Sequence, residues 1–331
     1  MIYSIQFLRG MAAIFVLVYH ASLKTAYFDE HHTLSSFKIG AAGVDLFFII
    51  SGFIMFYIAS QRKLKPYEFI RARIVRIIPL YWFLSLAALG VYFISPQLVN
   101  SSGGSTDILS SFLLWPTGNK YLINNGWTLT YEFFFYLIFS MFLAQTFKKK
   151  LLSITFIFIS LVGAGKILAI DYPAFIFFTS PILLEFILGG ILFFIFKNNF
   201  LGRFWSFLFI SVGIGLLLYQ NFIGLPTSCL GRFLYYGVPL FFISIGTLQL
   251  EDMFASSRLY LQKLFLMLGN ISYSLYLVHP FSLVIVFKIS QIMLPGINAD
   301  IFLLTAVSFS IFSSYLVYLL IEKPLISYFK Q

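Results

Sequence analysis

Long apolar runs of roughly twenty residues, separated by short polar stretches, fill this chain from end to end. A helix needs about that many residues to cross the ~30 Å hydrocarbon core of a bilayer. The pattern predicts ten spans, near residues 4–23, 40–60, 74–95, 126–146, 151–170, 175–196, 204–221, 233–250, 270–293 and 301–321. A transmembrane barrel would show short alternating segments instead. The expected fold is therefore all-α, a polytopic integral membrane helical bundle of about ten transmembrane helices. One connection, 95–125, is long. It carries a polar patch from Asn100 to Asp107, then the apolar stretch Ile108 to Trp115. Eight residues cannot span, so this piece is expected to be interfacial or re-entrant, lying over an outer opening. No soluble domain is expected at either end, and residues 1–331 read as a single transmembrane domain.

Composition agrees. The chain is 60% hydrophobic and only 10% charged, where soluble domains carry about a quarter charged residues. The net charge of +10 needs no nucleic acid, because basic residues of membrane proteins concentrate in cytoplasmic loops. With the N-terminus inside, sixteen of the 22 bases fall on the cytoplasmic side. They are Arg9, six between Arg62 and Arg76, Lys148 to Lys150, Lys197, Arg203, Arg258, Lys263, Lys323 and Lys330. That asymmetry predicts both termini cytoplasmic. The single cysteine, Cys229, excludes an intrachain disulfide and a cysteine-rich zinc site. No metal is expected. The first apolar run is read as a permanent span, since its leading segment is nearly uncharged and cleavage as a signal peptide would discard His20.

Ionisable residues inside spans are costly and point to a protein interior or a wet cavity. Arg9 and His20, eleven positions apart, are three turns plus roughly 20° around one helix. They share a face, about 16 Å apart along the axis. Separately, Arg9 could snorkel to headgroups and His20 could hydrogen-bond within the bundle. Asp45 and Glu132 come from two other helices at a depth like that of His20. A histidine with a carboxylate partner is suited to general base catalysis; the alternative is a polar network that locks three helices together. On the opposite side, Arg71, Arg73 and Arg76 form a cluster in which Arg73 and Arg76 are helix neighbours. Guanidinium groups suit multidentate phosphate binding, although positive-inside topology alone accounts for such a cluster. His279 precedes Pro280, where a kink and a histidine could line a cavity or make a structural hydrogen bond. Glu185 has no obvious partner, and Glu322 is expected to pair with an inner-loop base.

Taken in order, these residues resemble the acyltransferase-3 family of bacterial membrane O-acyltransferases, nearest to its exopolysaccharide and O-antigen O-acetyltransferases. The resemblance covers nearly the whole chain. It rests on Arg9 and His20 with ten residues between them, Gly43-Val-Asp-Leu-Phe-Phe with Ser51-Gly-Phe53, and Arg73-x-x-Arg76 with Pro79 and Tyr81. Trp127-x-Leu-x-x-Glu132, Ser272-Tyr-Ser-Leu-Tyr-Leu-x-His279 and Glu322-Lys-Pro324 complete it. The resemblance implies an enzyme of the bacterial inner membrane that moves an acetyl or other acyl group from cytoplasmic acyl-CoA to a hydroxyl of an exported or cell-surface polysaccharide. It implies no permanently bound cofactor, with acetyl-CoA as donor substrate, a glycan or lipid-linked sugar as acceptor, and the bilayer as surroundings.

On this reading His20 is the general base, oriented by Asp45 or Glu132, and Arg9, Arg71, Arg73 and Arg76 bind acyl-CoA. Tyr81, Trp127, Tyr131 and His279 are candidates for lining the cavity. Cys229, at an outer helix end, is not expected to be a nucleophile. The alternative is a transporter or flippase for a lipid-linked sugar or small anion, with the same buried charges along a permeation path.

Overall fold

The computed structural model describes residues 2–99, 103–198, 202–223 and 228–330. Its first half contains α1 (Tyr3–Thr25), α2 (Gly43–Gln61), α3 (Pro66–Ile94), α4 (Pro96–Val99), α5 (Ile108–Leu113), α6 (Gly126–Met141), α7 (Phe147–Leu168) and α8 (Pro173–Phe178). The second contains α9 (Leu183–Asn198), α10 (Arg203–Ile223), α11 (Cys229–Arg232), α12 (Val238–Gln249), α13 (Glu251–Ala255), α14 (Leu259–Met293), α15 (Ala299–Val317) and α16 (Lys323–Lys330). A 3-10 turn leads into α2, and π-helical turns occupy Phe233–Gly237 and Tyr318–Glu322.

Among the described residues, nine helical stretches are long and apolar enough to cross a membrane. The expected span at 126–146 is α6, which stops at Met141 after sixteen residues. It covers only about 24 Å at ~1.5 Å per residue, less than the ~30 Å hydrocarbon core, and is not among the nine. Other boundaries moved too. The 175–196 run is broken between α8 and α9, around Thr179-Ser180-Pro181, and α14 starts at Leu259 and runs for 35 residues with Pro280 inside it. The part of the polar patch at 100–102 lies outside the described residues.

The chain forms two compact units. The first comprises residues 1–50 and 192–320, the second 51–191 and 321–331.

In the first unit α1 and α14 pack closely because glycines face the contact. A Cβ on Gly10 would lie 2.7 Å from Leu268 Cβ, and one on Gly269 would lie 2.8 Å from Gln6 Cα. Further along, Ala13, Leu17 and Ala21 of α1 meet Leu275 and Leu283 of α14 and Phe302, Leu303 and Ala306 of α15 in a buried core. The start of α2 sits against α1 for the same reason. A Cβ on Gly43 would lie 2.3 Å from the Ala12 carbonyl oxygen. The N-terminus of α1 has no cap from its own flanking residue, Ile2. Glu251 of α13 supplies one, accepting from the Tyr3 and Ser4 amides at 2.8 Å each and from the Ser4 hydroxyl. A carboxylate there satisfies otherwise orphaned N–H groups and complements the helix dipole.

In the second unit Gly52 lets α2 approach α9, since a Cβ there would lie 2.3 Å from the Phe186 carbonyl oxygen. Aromatic rings fill the adjacent core, with Phe135 stacked on Phe186 at 4.3 Å and Phe56 edge-on to Phe139 at 5.0 Å. The short apolar piece of the long connection is the six-residue helix α5, capped by Asp107, whose carboxylate accepts from the Ser110 amide. Tyr81 and Trp82 of α3 hold it by donating to the Ser111 and Phe112 carbonyls. Leu109, Leu113 and Trp115 remain exposed, an apolar face suited to a lipid interface.

Candidate active site

His20 is carried on α1, whose buried stripe of Ile5, Leu8, Ala12 and Val16 fixes how the helix turns its remaining residues. Its Nδ1 lies 2.9 Å from Nε2 of His279 on α14, with the rings 14° from parallel. His279 is fully buried, and its Nδ1 is 2.9 Å from the Leu275 carbonyl oxygen, one turn back on the same helix. His20 is only half-buried. Among the described residues nothing hydrogen-bonds to its Nε2. The orienting partner of His20 is therefore a second histidine.

Asp45, expected to serve that purpose, is committed elsewhere. Its Oδ1 accepts from Arg232 Nε at 2.8 Å and its Oδ2 from Arg232 Nη2 at 2.6 Å. Arg232 also donates to the Ala41 carbonyl at 3.2 Å. The two parallel bonds match the fork of a guanidinium to the two oxygens of a carboxylate. Asp45 has no exposed surface while Arg232 is 24% exposed, so this part-buried ion pair fastens α2 to α11. Arg232 immediately precedes the π-helical turn Phe233–Gly237, a distortion frequent at functional sites.

Arg9, on α1 of this unit, places its Nη1 3.5 Å from Gln6 Oε1. The unit also holds a cavity of about 610 Å³, lined by Phe7, Leu8, Met11, Phe207, Leu240 and Phe265 among others. Neither paired histidine lines it. Its wall is almost wholly apolar, with Thr247 and Ser257 the polar residues among those that line it. Cys229 opens α11, and its side chain lies outside what the structure describes.

The other candidates belong to the second unit. Glu132 of α6 accepts at Oε2 from the Tyr136 hydroxyl at 2.9 Å, and that hydroxyl is 3.1 Å from Ser51 Oγ. Of the three arginines on α3, Arg76 places Nη1 2.5 Å from Glu322 Oε1. Glu322 is buried and closes the second π-helical turn, so the expected pairing with an inner-loop base is with Arg76. Arg71 is exposed, with Nη2 3.4 Å from the Phe329 carbonyl. Arg73 stands over the Phe69 ring at 6.0 Å, and among the described residues its Nε has no hydrogen-bond partner.

Tyr81 is fully buried, with its hydroxyl donated to Ser111, and Tyr131 lies flat on Phe177 at 3.7 Å. Both pack closely against their neighbours in the second unit. Trp127 meets Tyr131 edge-on at 5.9 Å. Glu185 is buried in the first turn of α9, where the helix dipole favours a carboxylate.

A family model described as an acyltransferase domain matches residues 2–322. The chain belongs to the acyltransferase-3 family. It is a multi-pass membrane acyltransferase, in keeping with its apolar helices. It is also 32% identical to the exopolysaccharide production protein ExoZ of Rhizobium meliloti strain 1021, across 94% of each chain. No solved structure matches it.

Two pairings of this acyltransferase are not evident in the sequence pattern: Arg232 with Asp45, and His279 with His20, where the sequence leaves His279 open between lining a cavity and making a structural hydrogen bond. One signal was available for each. A buried aspartate in a span requires a cation, and His279 stands as far beyond Gly269 as His20 stands beyond Gly10.

Proposed function

We propose that this acyltransferase takes an acyl group, acetyl by its resemblance, from acyl-CoA and transfers it to a hydroxyl of an exopolysaccharide or its lipid-linked precursor. The observation that carries the reading is the half-buried His20, held at Nδ1 by a buried neighbour with Nε2 left available. A positioned imidazole of this kind is suited to remove a proton from an attacking hydroxyl. The acceptor class comes from the exopolysaccharide role printed in the name of the related ExoZ protein.

In the proposed step, His20 Nε2 accepts the hydroxyl proton as the sugar oxygen attacks the thioester carbonyl. The C–S bond then breaks, the acyl group stays on the sugar oxygen, and the proton leaves with the thiolate as free CoA. Positioned base catalysis of this sort contributes about 10²–10⁴-fold. Arg71 and Arg73 are assigned to the phosphates of CoA. Their guanidinium groups suit multidentate oxyanions, and neither is neutralised by a carboxylate within hydrogen-bond distance among the described residues. Arg76 joins them with its charge partly offset by Glu322. The bacterial inner membrane is the location the resemblance implies, and the excess of bases on one side favours both termini cytoplasmic.

Purified protein in liposomes, supplied with radiolabelled acetyl-CoA and deacetylated exopolysaccharide fragments, tests this. Label in the glycan with matching release of free CoA is the expected result. Sugar or anion movement without CoA release would overturn the reading in favour of transport.

A further inference from the structure

The two-histidine arrangement permits a proton count. A backbone carbonyl only accepts, so His279 must donate to Leu275 from Nδ1. A neutral imidazole carries one N–H, so His279 Nε2 is left as an acceptor. The 2.9 Å bond to His20 then requires the His20 proton on Nδ1. The lone pair of His20 falls on Nε2, the nitrogen without a partner among the described residues. A doubly protonated His279 would reverse the bond and move the His20 proton to Nε2, leaving no base. Full burial argues against that form, because neither of its ring nitrogens faces a carboxylate.

We propose that His279 is a positioning residue that fixes His20 in its Nδ1–H tautomer and presents Nε2 as the basic atom. The tautomer follows from the geometry alone, whereas its catalytic consequence rests on the proposed role of His20. In serine hydrolase triads an aspartate performs this task and also stabilises the imidazolium by its charge. Here a neutral ring performs it, so orientation is obtained with no ionised group in the buried pocket. Once His20 has accepted a proton, the His20-to-His279 bond becomes charge-assisted and holds the cation until the thiolate leaves with the proton.

His279 is itself unsuited to act as the base, because it is fully buried and both its nitrogens are occupied.

The chain has four histidines, so nitrogen-15 histidine NMR of the full-length protein in nanodiscs can be assigned by single substitutions. The wild type should show His20 protonated at Nδ1 and bare at Nε2. His279→Ala should give mixed His20 tautomers and lower kcat about 10- to 100-fold, with KM for both substrates within about twofold. His279→Gln puts a carbonyl oxygen where Nε2 was and should restore most of the tautomer preference and of kcat. An Nε2–H tautomer in the wild type overturns the proposal, as does a wild-type kcat in His279→Ala. Failure of His279→Gln to rescue either readout also overturns it. If His279→Ala does not fold, the wild-type spectrum and the glutamine variant still decide. Should the spectrum be as expected while His20→Ala transfers normally, the catalytic assignment of His20 falls and the tautomer assignment stands.

Discussion

Gly10 and Gly269 each stand ten residues before one of the paired histidines, and each faces the other's helix without room for a Cβ. Two helices rising equally from a shared contact return to each other at the same height, about 15 Å further along. The glycine crossing thus sets the register in which His20 and His279 meet.

Gly269→Ala should therefore cost about 1–3 kcal/mol of stability, because the new methyl meets Gln6 backbone and Cβ at under 3 Å. Gly163→Ala on α7, with open space around it, should be neutral or gain up to about 1 kcal/mol from helix propensity. Thermal unfolding in detergent compares the two. Equal effects would show that the crossing is not tight.

Asp45 and Arg232 should behave as a unit. Arg232→Ala leaves a wholly buried carboxylate without its fork and should cost on the order of 3–5 kcal/mol. The Asp45→Ala/Arg232→Ala double variant should cost less than the sum of the two single changes. A double-mutant cycle that proves additive contradicts the pair. Asp45→Asn should leave the His20 nitrogen shifts unmoved; a tautomer change there would restore Asp45 as the orienting group.

Loss of the cap on α1 should be local. Glu251→Ala removes the acceptor for two amides and a hydroxyl and should destabilise by about 1–2 kcal/mol. Hydrogen exchange should show the Tyr3 and Ser4 amides losing protection while α14 keeps its own. Protection unchanged at Tyr3 and Ser4 would show that Glu251 is not the cap.

The cap of α5 should depend on pH. The Ser110 amide hydrogen bond holds the Asp107 carboxyl below the usual carboxylate range. With the folded value below the unfolded one, the cap stabilises α5 fully above the unfolded range and is lost as pH falls through the folded value. Ser110 amide protection, corrected for the intrinsic exchange rate, should fall on acidification. Asp107→Asn caps without ionising and should show no such fall.

Activity should follow His20. Its replacement by alanine should lower acyl transfer by about 10²–10⁴-fold while the protein still inserts into membranes. Transfer at the wild-type level by a correctly inserted variant would remove His20 from the chemistry.

The membrane architecture was legible because hydrocarbon imposes a length and a composition on each span. Helix ends were less so. α14 extends eleven residues before its expected start, and α6 ends five before its expected stop, because polar turns at helix ends leave no periodic mark. The ion pair of Glu322 could be anticipated in kind, since a buried carboxylate needs a cation, yet nothing in the order of residues singled out Arg76 from its neighbours. His20 and Asp45 stand out in the sequence as ionisable residues inside spans, but the structure pairs His20 with His279 and Asp45 with Arg232. Depth along an axis says which residues share a layer and does not say which way each helix is rotated.

By itself, then, the sequence determined that this is a helical membrane protein of the acyltransferase-3 kind, with a histidine and an arginine on one face of the first helix. Apolar length and helical period are local properties, and local properties survive in one dimension. Only the tertiary structure decided that His20 faces His279 and that Asp45 faces Arg232. Those choices depend on where small residues let two helices touch, and that is fixed only when residues hundreds of positions apart pack together.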